Sequence, residues 1–378
     1  MPADRDSCEL LLAIAQRPCI DTQRIHELAK KVRDWDSLFG MAGEHRVSSM
    51  LFSRLTEAGP EVPSTVRERL RTEYHRNMFH NLANAVELIA VLKAFEQEQI
   101  PAMPFKGVVL GASIYHDLTT RPAGDLDVLI HYRHRTQATT ILLERGYEPT
   151  RSSHADRTPA VYDYYEYHFE RQSDGMVFEL RWRLTQPRFR RDLGMDWVWP
   201  RRRIAILAGA EVPDMSPEIT LLVLCMHGSK HVWSRLIWIC DVAQLLASSP
   251  SLDWTEVTRE AKKTGLWRAL ALGVLLAHRV AAAVPQAMLR RFESDTNACN
   301  LAQHIQENLL DAPGSAPMSR VPYNVQLLRF QDRIALLMSL DFVHPNERDR
   351  AVLPLPKPLG ALYYLIRPFR IFWDRSAR

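Results

Sequence analysis

The sequence has 378 residues, of which 46% are hydrophobic and 24% are charged. This length exceeds the usual size of a single domain, and the apolar content is sufficient for a packed core without disulfide bonds. The net charge of +4 is too small an excess to imply nucleic-acid binding by itself. No apolar segment near the start resembles a signal peptide, no run reaches the length of a membrane span, and the five cysteines show no paired spacing, so we expect a cytoplasmic protein.

The predicted elements fall into three regions. Residues 1–100 carry apolar positions at helical spacing and predict an N-terminal helical region. Residues 101–205 contain four predicted strands, near 102–106, 125–131, 160–170 and 176–183, with helices after the first and around 134–145. Residues 206–378 return to helix over 217–283 and 321–340, with a loop rich in Pro, Gly and Ser at 311–319 between them. This order predicts an α+β protein in which helical regions flank a small mixed β-sheet.

Two carboxylates stand in the apolar run that forms the second predicted strand. Because side chains alternate along a strand, Asp125 and Asp127 point to the same face. Acids held this close repel each other unless a cation lies between them, and a hard divalent ion such as Mg²⁺ (or Mn²⁺) suits their oxygen ligands. The alternative is a strand edge that carries two solvated acids.

A lysine and a glycine precede these acids at a predicted junction between strand and helix. Lys106 offers an ammonium group, Gly107 offers a backbone that a ligand can approach closely, and a helix N-terminus follows, which together suit a polyphosphate. Arg121 is a candidate for a further, bidentate phosphate contact, and its alternative is a residue of the turn before the acids.

The segment from Phe105 to Ile130 resembles the nucleotidyltransferases of the DNA polymerase β type. It is more similar to a bacterial branch with the pattern KG, then Tyr, then RPxxDxD, and the matching residues are Lys106, Gly107, Tyr115, Arg121, Pro122, Asp125 and Asp127. The resemblance implies that Asp125 and Asp127 ligate the metal ions that carry a nucleoside triphosphate. One departure is that the wider superfamily usually has Gly-Ser or Gly-Gly where this chain has Lys106 and Gly107.

Enzymes of this type generally need a third carboxylate on a neighbouring strand. The best candidate is Glu179, because alternation places it with Arg181 on the polar face of the fourth predicted strand. In the bacterial branch a His often follows the third acid by two positions, whereas this chain has Arg181, which keeps a cation but loses a titratable group. The alternative for Glu179 is an ion pair with neighbouring arginines.

A second polar cluster lies within the apolar run of residues 221–246, which the pattern predicts to be one core helix. A stripe on one face of that helix contains His227, Lys230, His231, Ser234, Trp238 and Asp241. Buried polar groups are tolerated when they face a ligand cavity, so we expect this stripe to border the active-site cleft. The bacterial branch has a similar HGxxH segment followed by a Trp and an Asp, and this resemblance implies that Lys230 or His231 contacts the nucleotide or the acceptor. The alternative is a network of His and Asp within the core. His227 and His231 also have the i, i+4 spacing of zinc ligands, but Gly228 stands where an HExxH motif has Glu.

Two further segments bear on partners. Residues 181–203 concentrate arginines among aromatic residues, a composition that can bind RNA or a nucleotide-like acceptor, although a solvated connection is the preferred interpretation. The C-terminal residues 353–378 combine prolines, aromatics and arginines, and we expect them to dock on the protein rather than to lie on a membrane surface.

The resemblance implies a nucleotidyltransferase core at 101–205 that transfers a nucleoside monophosphate from a nucleoside triphosphate. The expected metal ligands and catalytic residues are Asp125, Asp127 and Glu179, and the expected nucleotide-binding residues are Lys106, Gly107, Arg121, Lys230 and His231. The acceptor hydroxyl belongs to a small molecule, a peptide or an RNA, with nucleic acid not favoured. The alternative function is a catalytically inactive nucleotide-binding or scaffold protein with the same fold.

Overall fold

A computed structural model describes residues 5–15, 21–59, 62–150, 165–185, 193–280 and 282–310, with a few single positions further on. The loop predicted at 311–319, the helix predicted over 321–340 and the docked tail predicted at 353–378 lie outside these ranges.

The described part of the N-terminal region is helical, as the apolar spacing predicts. It contains α1 (Arg5–Ile14), α2 (Thr22–Lys31), α3 (Trp35–Glu44), α4 (Ser48–Ala58) and α5 (Ser64–Gln97). Asp21 and Asp34 cap α2 and α3, because each side chain accepts a backbone hydrogen bond of 2.8 Å from the first turn. α4 ends at Gly59, which takes the left-handed conformation that glycine adopts without strain.

A five-stranded mixed sheet follows, with the strand order β1-β2-β5-β4-β3. Its strands are β1 (Ala102–Pro104), β2 (Asp125–Ile130), β3 (Tyr147–Pro149), β4 (Glu166–Arg171) and β5 (Met176–Arg181). β2 and β5 pair in parallel, and the remaining neighbours pair antiparallel. α6 (Gly107–Leu110), which continues to Tyr115 with a wider turn, connects β1 to β2, and α7 (Arg135–Glu144) follows β2. The sequence pattern does not predict β3, which has only three residues.

The C-terminal region begins with α8 (Met195–Val198) and the hairpin β6 (Arg203–Leu207) and β7 (Ala210–Asp214), which the sequence pattern also does not predict. The helices that follow are α9 (Pro217–Lys230), α10 (Leu236–Ser248), α11 (Trp254–Thr264), α12 (Trp267–Arg279), α13 (Gln286–Glu293) and α14 (Thr296–Asn308). No helix in the described ranges is long and apolar enough to cross a membrane.

The prediction of one helix over residues 221–246 is wrong, because the chain leaves the helix between α9 and α10. Val232 and Trp233 take positive φ angles of 56° and 52°, and the Trp233 amide donates to the Gly228 carbonyl at 2.8 Å. The fully buried Trp233 ring lies against Gly228, where a Cβ would come within 2.5 Å of the ring. Burial of a large aromatic side chain outweighs the helical hydrogen bonds that are lost here.

The N-terminal and C-terminal helices share one apolar core. Leu11 and Met50 from the first region belong to the same buried cluster as Leu224 and Leu270 from the second. A second cluster joins the sheet to α5 and α7, with Phe95, Val128 and Phe178 at its centre. The sheet is therefore packed against helices on both of its faces. The polar side chains of β2 and β5 lie on the face that is directed at α9 and α10.

His45, in the turn after α3, ties the two helical regions together. Its Nδ1 accepts a hydrogen bond of 3.2 Å from the Leu236 amide, and its carbonyl oxygen accepts one of 3.3 Å from the Ile237 amide. These two amides belong to the first turn of α10 and would otherwise be unsatisfied. Burial, together with the nearby charge of Arg235, lowers the pKa of His45 to about 4.

We expect this histidine to make the fold sensitive to acid. The pKa of His45 falls from an ordinary value of 6.5 to about 4 on folding, so its contribution is complete above pH 6.5 and is lost as pH falls toward 4. The loss amounts to roughly 3 kcal/mol of unfolding free energy. His45→Asn keeps an acceptor near the position of Nδ1 but does not titrate, so urea unfolding at several pH values should show a shallower decline. His80→Asn, at an exposed position, is the control and should decline like the wild type; equal slopes for all three proteins would contradict the assignment.

Candidate active site

Three carboxylates converge where β2 and β5 run side by side. The parallel register places Asp127 directly opposite Glu179, and Asp125 lies two residues earlier on the same face. One oxygen from each of Asp125, Asp127 and Glu179 lies within 4.8 Å of the other two. The structure thus brings the predicted third acid to the two aspartates.

The donor set suits a hard divalent cation. All three ligands are carboxylates, which Mg²⁺ and Mn²⁺ prefer, and Asp125 and Glu179 are only partly buried and so accessible to an ion. Burial raises the pKa of Asp127 to about 8, the Lys106 charge opposes this shift, and the negative charges of Asp125 and Glu179 add to it. Added positive charge therefore favours full ionisation of the cluster, and a metal ion held by these three carboxylates would supply such charge.

Two buried cations already lie against Asp127. The Lys106 Nζ is 3.2 Å from one Asp127 oxygen and 3.3 Å from the other, and both side chains are almost completely buried. The Arg181 Nε is 3.2 Å from Asp127 Oδ1, and its Nη2 hydrogen-bonds to Glu179. Burial by itself lowers the pKa of Arg181, but the carboxylates around it raise that pKa above its usual range, so the guanidinium stays charged.

Glu166 and His168 on β4 are two further polar residues of the cluster, and the sequence analysis does not identify them. The antiparallel register sets Glu166 opposite Arg181 and His168 opposite Glu179. Glu166 lies 2.7 Å from Arg181 Nη1 and 3.2 Å from His168 Nε2, while His168 Nδ1 lies 3.4 Å from Glu179. The alternation of polar residues in this strand is the signal that could have found them, but it does not show which strand lies alongside.

A pocket opens beside the acids and carries positive charge. It is lined by Phe105, Lys106, Arg181, Leu184, Met226, His227 and Lys230. Burial lowers the pKa of Lys230, and the charge of Arg181 lowers it further. Within the described ranges no carboxylate lies at ion-pair distance from Lys230, so its ammonium group faces the pocket without a matching acid.

The rings of His227, His231 and Trp238 form a cluster with tilted and edge-on contacts, and His227 lines this pocket. The centroid of the His231 ring is 4.8 Å from that of His227 and 5.0 Å from that of Trp238. Burial lowers the pKa of His227 well below its ordinary value, and Lys106 lowers it further. The carboxylate cluster is the one group of three potential metal ligands in the described part of the chain, so no third ligand supports zinc at His227 and His231 there.

Arg121 and Asp241 form a buried bidentate ion pair. Arg121 Nε donates to Asp241 at 2.8 Å and Nη2 at 3.0 Å, and the Tyr115 hydroxyl donates to the same carboxylate at 2.9 Å. The remaining Nη1 lies 3.4 Å from the Gly107 carbonyl oxygen. Nη1 also donates to the Pro122 carbonyl oxygen at 3.4 Å, so Arg121 joins the loop before β2 to α10, and its contact with phosphate stays a prediction.

The backbone at Lys106 and Gly107 takes an unusual conformation. Both residues have positive φ angles, 59° and 45° respectively. A Cβ on Gly107 would lie 3.2 Å from the Asp125 carbonyl oxygen, so glycine permits the close approach of this turn to β2. The turn sets the Lys106 side chain against Asp127.

The arginine-rich segment is partly described, since residues 186–192 lie outside the ranges. Arg201 pairs with Glu256 at 3.1 Å, and Arg203 pairs with Asp214 at 2.8 Å. These two arginines hold neighbouring elements together, which supports the interpretation of the segment as a connection rather than as an RNA-binding surface.

Comparison with known proteins shows the family to which this chain belongs. The model of a family described as uncharacterised nucleotidyltransferase matches residues 31–282, which include every site residue named above. The chain belongs to this family. No curated protein matches it.

Two solved structures are similar over part of the chain. One is lincosamide antibiotic adenylyltransferase LnuA with lincomycin bound, with 15% identity, a TM-score of 0.30, and coverage of 42% of this chain and 94% of that one. The other is an antigenic nucleotidyltransferase-like protein from Paracoccidioides brasiliensis, with 17% identity, a TM-score of 0.33, and coverage of 54% and 94%. Scores this low carry no argument about substrate or mechanism.

We expect Asp241→Asn to destabilise the protein strongly. The substitution removes the charge that balances buried Arg121, and breaking a buried ion pair from one side costs about 3–5 kcal/mol. Glu9→Gln breaks the exposed pair with Arg5 and is the control, with an expected cost below about 1 kcal/mol. Urea unfolding of the two variants measures both costs. Similar values would show that the buried pair contributes no more to the free energy of unfolding than the exposed pair does.

Proposed function

We propose that the acceptor hydroxyl attacks the α-phosphorus of a nucleoside triphosphate, so that this protein transfers a nucleoside monophosphate and pyrophosphate leaves, in a reaction that depends on Mg²⁺ or Mn²⁺. The observation that carries the proposal is the cluster of Asp125, Asp127 and Glu179 on adjacent parallel strands. Family membership supports the same reaction class.

In this proposal Asp125 and Asp127 hold the metal ions, and Glu179 helps to hold the one nearest the acceptor. When bound, the metal neutralises charge on the reacting phosphate and lowers the pKa of the acceptor hydroxyl. We assign the acceptance of the hydroxyl proton to Glu179, which lies beside both aspartates. His168, 3.4 Å from Glu179, is placed to receive that proton in turn.

The cations beside the acids bind the phosphate chain. Lys106 and Lys230 line one pocket, where their positive charges would stabilise the phosphates of a bound triphosphate. In the described ranges Lys230 forms no ion pair that the triphosphate would have to break. Gly107 lets the phosphates approach the backbone, and His227, which lines the pocket, separates it from the rings of His231 and Trp238. Arg121 acts mainly by positioning the loop that carries Asp125, because Asp241 takes two of its donors.

A specific observation keeps one alternative open. Lys106 and Arg181 both contact Asp127, an arrangement that also stabilises the acid cluster without a metal. A protein that binds nucleotide but transfers nothing would have this arrangement. Calorimetry with non-hydrolysable triphosphate analogues, with and without Mg²⁺, separates the two functions when it is combined with an assay of transfer, because binding without transfer indicates the inactive protein.

We expect Asp127→Asn to abolish transfer, with a loss of at least about a hundred-fold, because the substitution removes a charge that the reaction needs at the metal. The assay follows label from α-labelled nucleoside triphosphates into metabolites, peptides and RNA of a cell extract, with Mg²⁺ and with a chelator. Asp196→Asn, whose side chain is 91% exposed, is the control and should keep full activity.

The fold of the Asp127→Asn protein is checked by its thermal midpoint, since two cations lose their partner. Asp125→Asn, at a partly exposed position, gives a second test with less strain on the core. Undiminished transfer by either folded variant would overturn the proposed mechanism.

A further inference from the structure

Arg46 lies in the turn between α3 and α4, and hydrogen bonds fix the backbone of this turn. The preceding His45 is fixed to the first turn of α10, and the Arg46 amide donates to the Gly43 carbonyl at 3.0 Å. Arg46 itself has a φ of 58°, a left-handed conformation that is uncommon for residues other than glycine. The turn is therefore rigid and costs backbone energy, as segments that position a functional side chain often do.

The Arg46 guanidinium lies over Gly124, the residue directly before Asp125. A Cβ on Gly124 would lie 3.1 Å from Arg46 Nη2 and 3.6 Å from Nη1. Glycine at this position of the RPxxDxD pattern thus leaves room for the guanidinium. Through this contact a residue of the N-terminal helical region reaches the edge of the carboxylate cluster.

The charges around Arg46 are not balanced. Burial lowers its pKa, and the charges of Arg121 and Arg235 lower it further, while Asp125 and Asp241 oppose the shift. Asp241 is already engaged by Arg121, and Asp125 is one of the three potential metal ligands. Within the described ranges the Arg46 side chain donates no hydrogen bond, so its planar set of donors is available to an anion.

We propose that Arg46 binds the phosphate chain of the nucleoside triphosphate on the Asp125 side of the site. The proposal rests on the proposed function and deepens it. Lys106 and Lys230 lie on the Asp127 side, so Arg46 places positive charge on the opposite side of the same acids. A guanidinium also matches two phosphate oxygens at once, which an ammonium group cannot do.

The test compares the affinities of Arg46→Gln, Arg46→Lys and the wild type for phosphate ligands by calorimetry in Mg²⁺. The probes are non-hydrolysable analogues of ATP and GTP, inorganic tripolyphosphate, and the corresponding nucleoside monophosphates. Loss of a charge-assisted hydrogen bond predicts a 10- to 100-fold weaker affinity of Arg46→Gln for the triphosphates and tripolyphosphate. Monophosphate affinity should not change, and Arg46→Lys should recover part of the loss. Arg33→Gln, at an exposed position of the same region, is the control and should bind like the wild type.

Gly124→Ala provides a second variant that leaves Arg46 in the chain. The added Cβ pushes the guanidinium aside, and the contact is with the end of a flexible side chain, so the protein should fold. We expect the triphosphate affinity to fall in Gly124→Ala as well, but by a smaller factor than in Arg46→Gln. A thermal midpoint for each variant confirms folding.

Triphosphate affinity that is unchanged in both Arg46→Gln and Gly124→Ala, or equal losses for triphosphate and monophosphate, would overturn the role of Arg46. Different results would contradict the proposed function and the proposed role of Arg46. Tripolyphosphate binding that depends on Arg46, without any nucleotide transfer, contradicts the proposed function alone. Transfer with an unchanged KM for the triphosphate in Arg46→Gln contradicts the role of Arg46 alone.

Discussion

The parallel pairing of β2 with β5 is the constraint on which the rest of the site depends. It sets Asp127 opposite Glu179 and two residues from Asp125, so three carboxylates meet on one face of two inner strands of the sheet. Acids this close and this buried repel one another and lose their hydration, and only positive charge nearby offsets both costs. Lys106 and Arg181 supply two such charges from within the chain, and the geometry leaves oxygens for a metal ion.

The outer elements are arranged around this charge cluster. β4 adds Glu166, which shares Arg181 with the acids of β2 and β5. α9 brings Lys230 to the pocket, and α10 holds the loop before β2 through the pair of Arg121 and Asp241. The N-terminal helices are part of the same assembly, because His45 caps α10. The carboxylate cluster is thereby bordered by side chains from all three regions of the chain.

Local patterns predicted the elements that carry the acids. Period-two alternation in β2 and β5 placed Asp125, Asp127 and Glu179 on polar faces, and the structure brings those faces together. The same kind of reasoning failed at residues 221–246, because a periodic pattern does not show where a buried ring displaces helical hydrogen bonds. Trp233 packs on Gly228 and ends the helix, so the angular relation of His227 to Asp241 no longer follows helical geometry. Arg121 was predicted to contact phosphate, whereas the partner that the structure gives it, Asp241, lies 120 residues away in the chain.

The sequence by itself determined the α+β class and the two aspartates on one strand face, since each depends on spacing within a few residues. The family resemblance, together with alternation in one predicted strand, pointed to Glu179 as the third acid. Tertiary structure alone decided that Glu166 and His168 join the cluster, that Asp241 engages Arg121 and that Arg46 lies over Gly124. These contacts depend on which strands pair and on how helices pack across the core, and residues close in space but distant in sequence leave no local pattern. The carboxylates, Lys106 and Arg181 were visible in the chain, whereas their pairing with one another and with Glu166 became visible only in the fold.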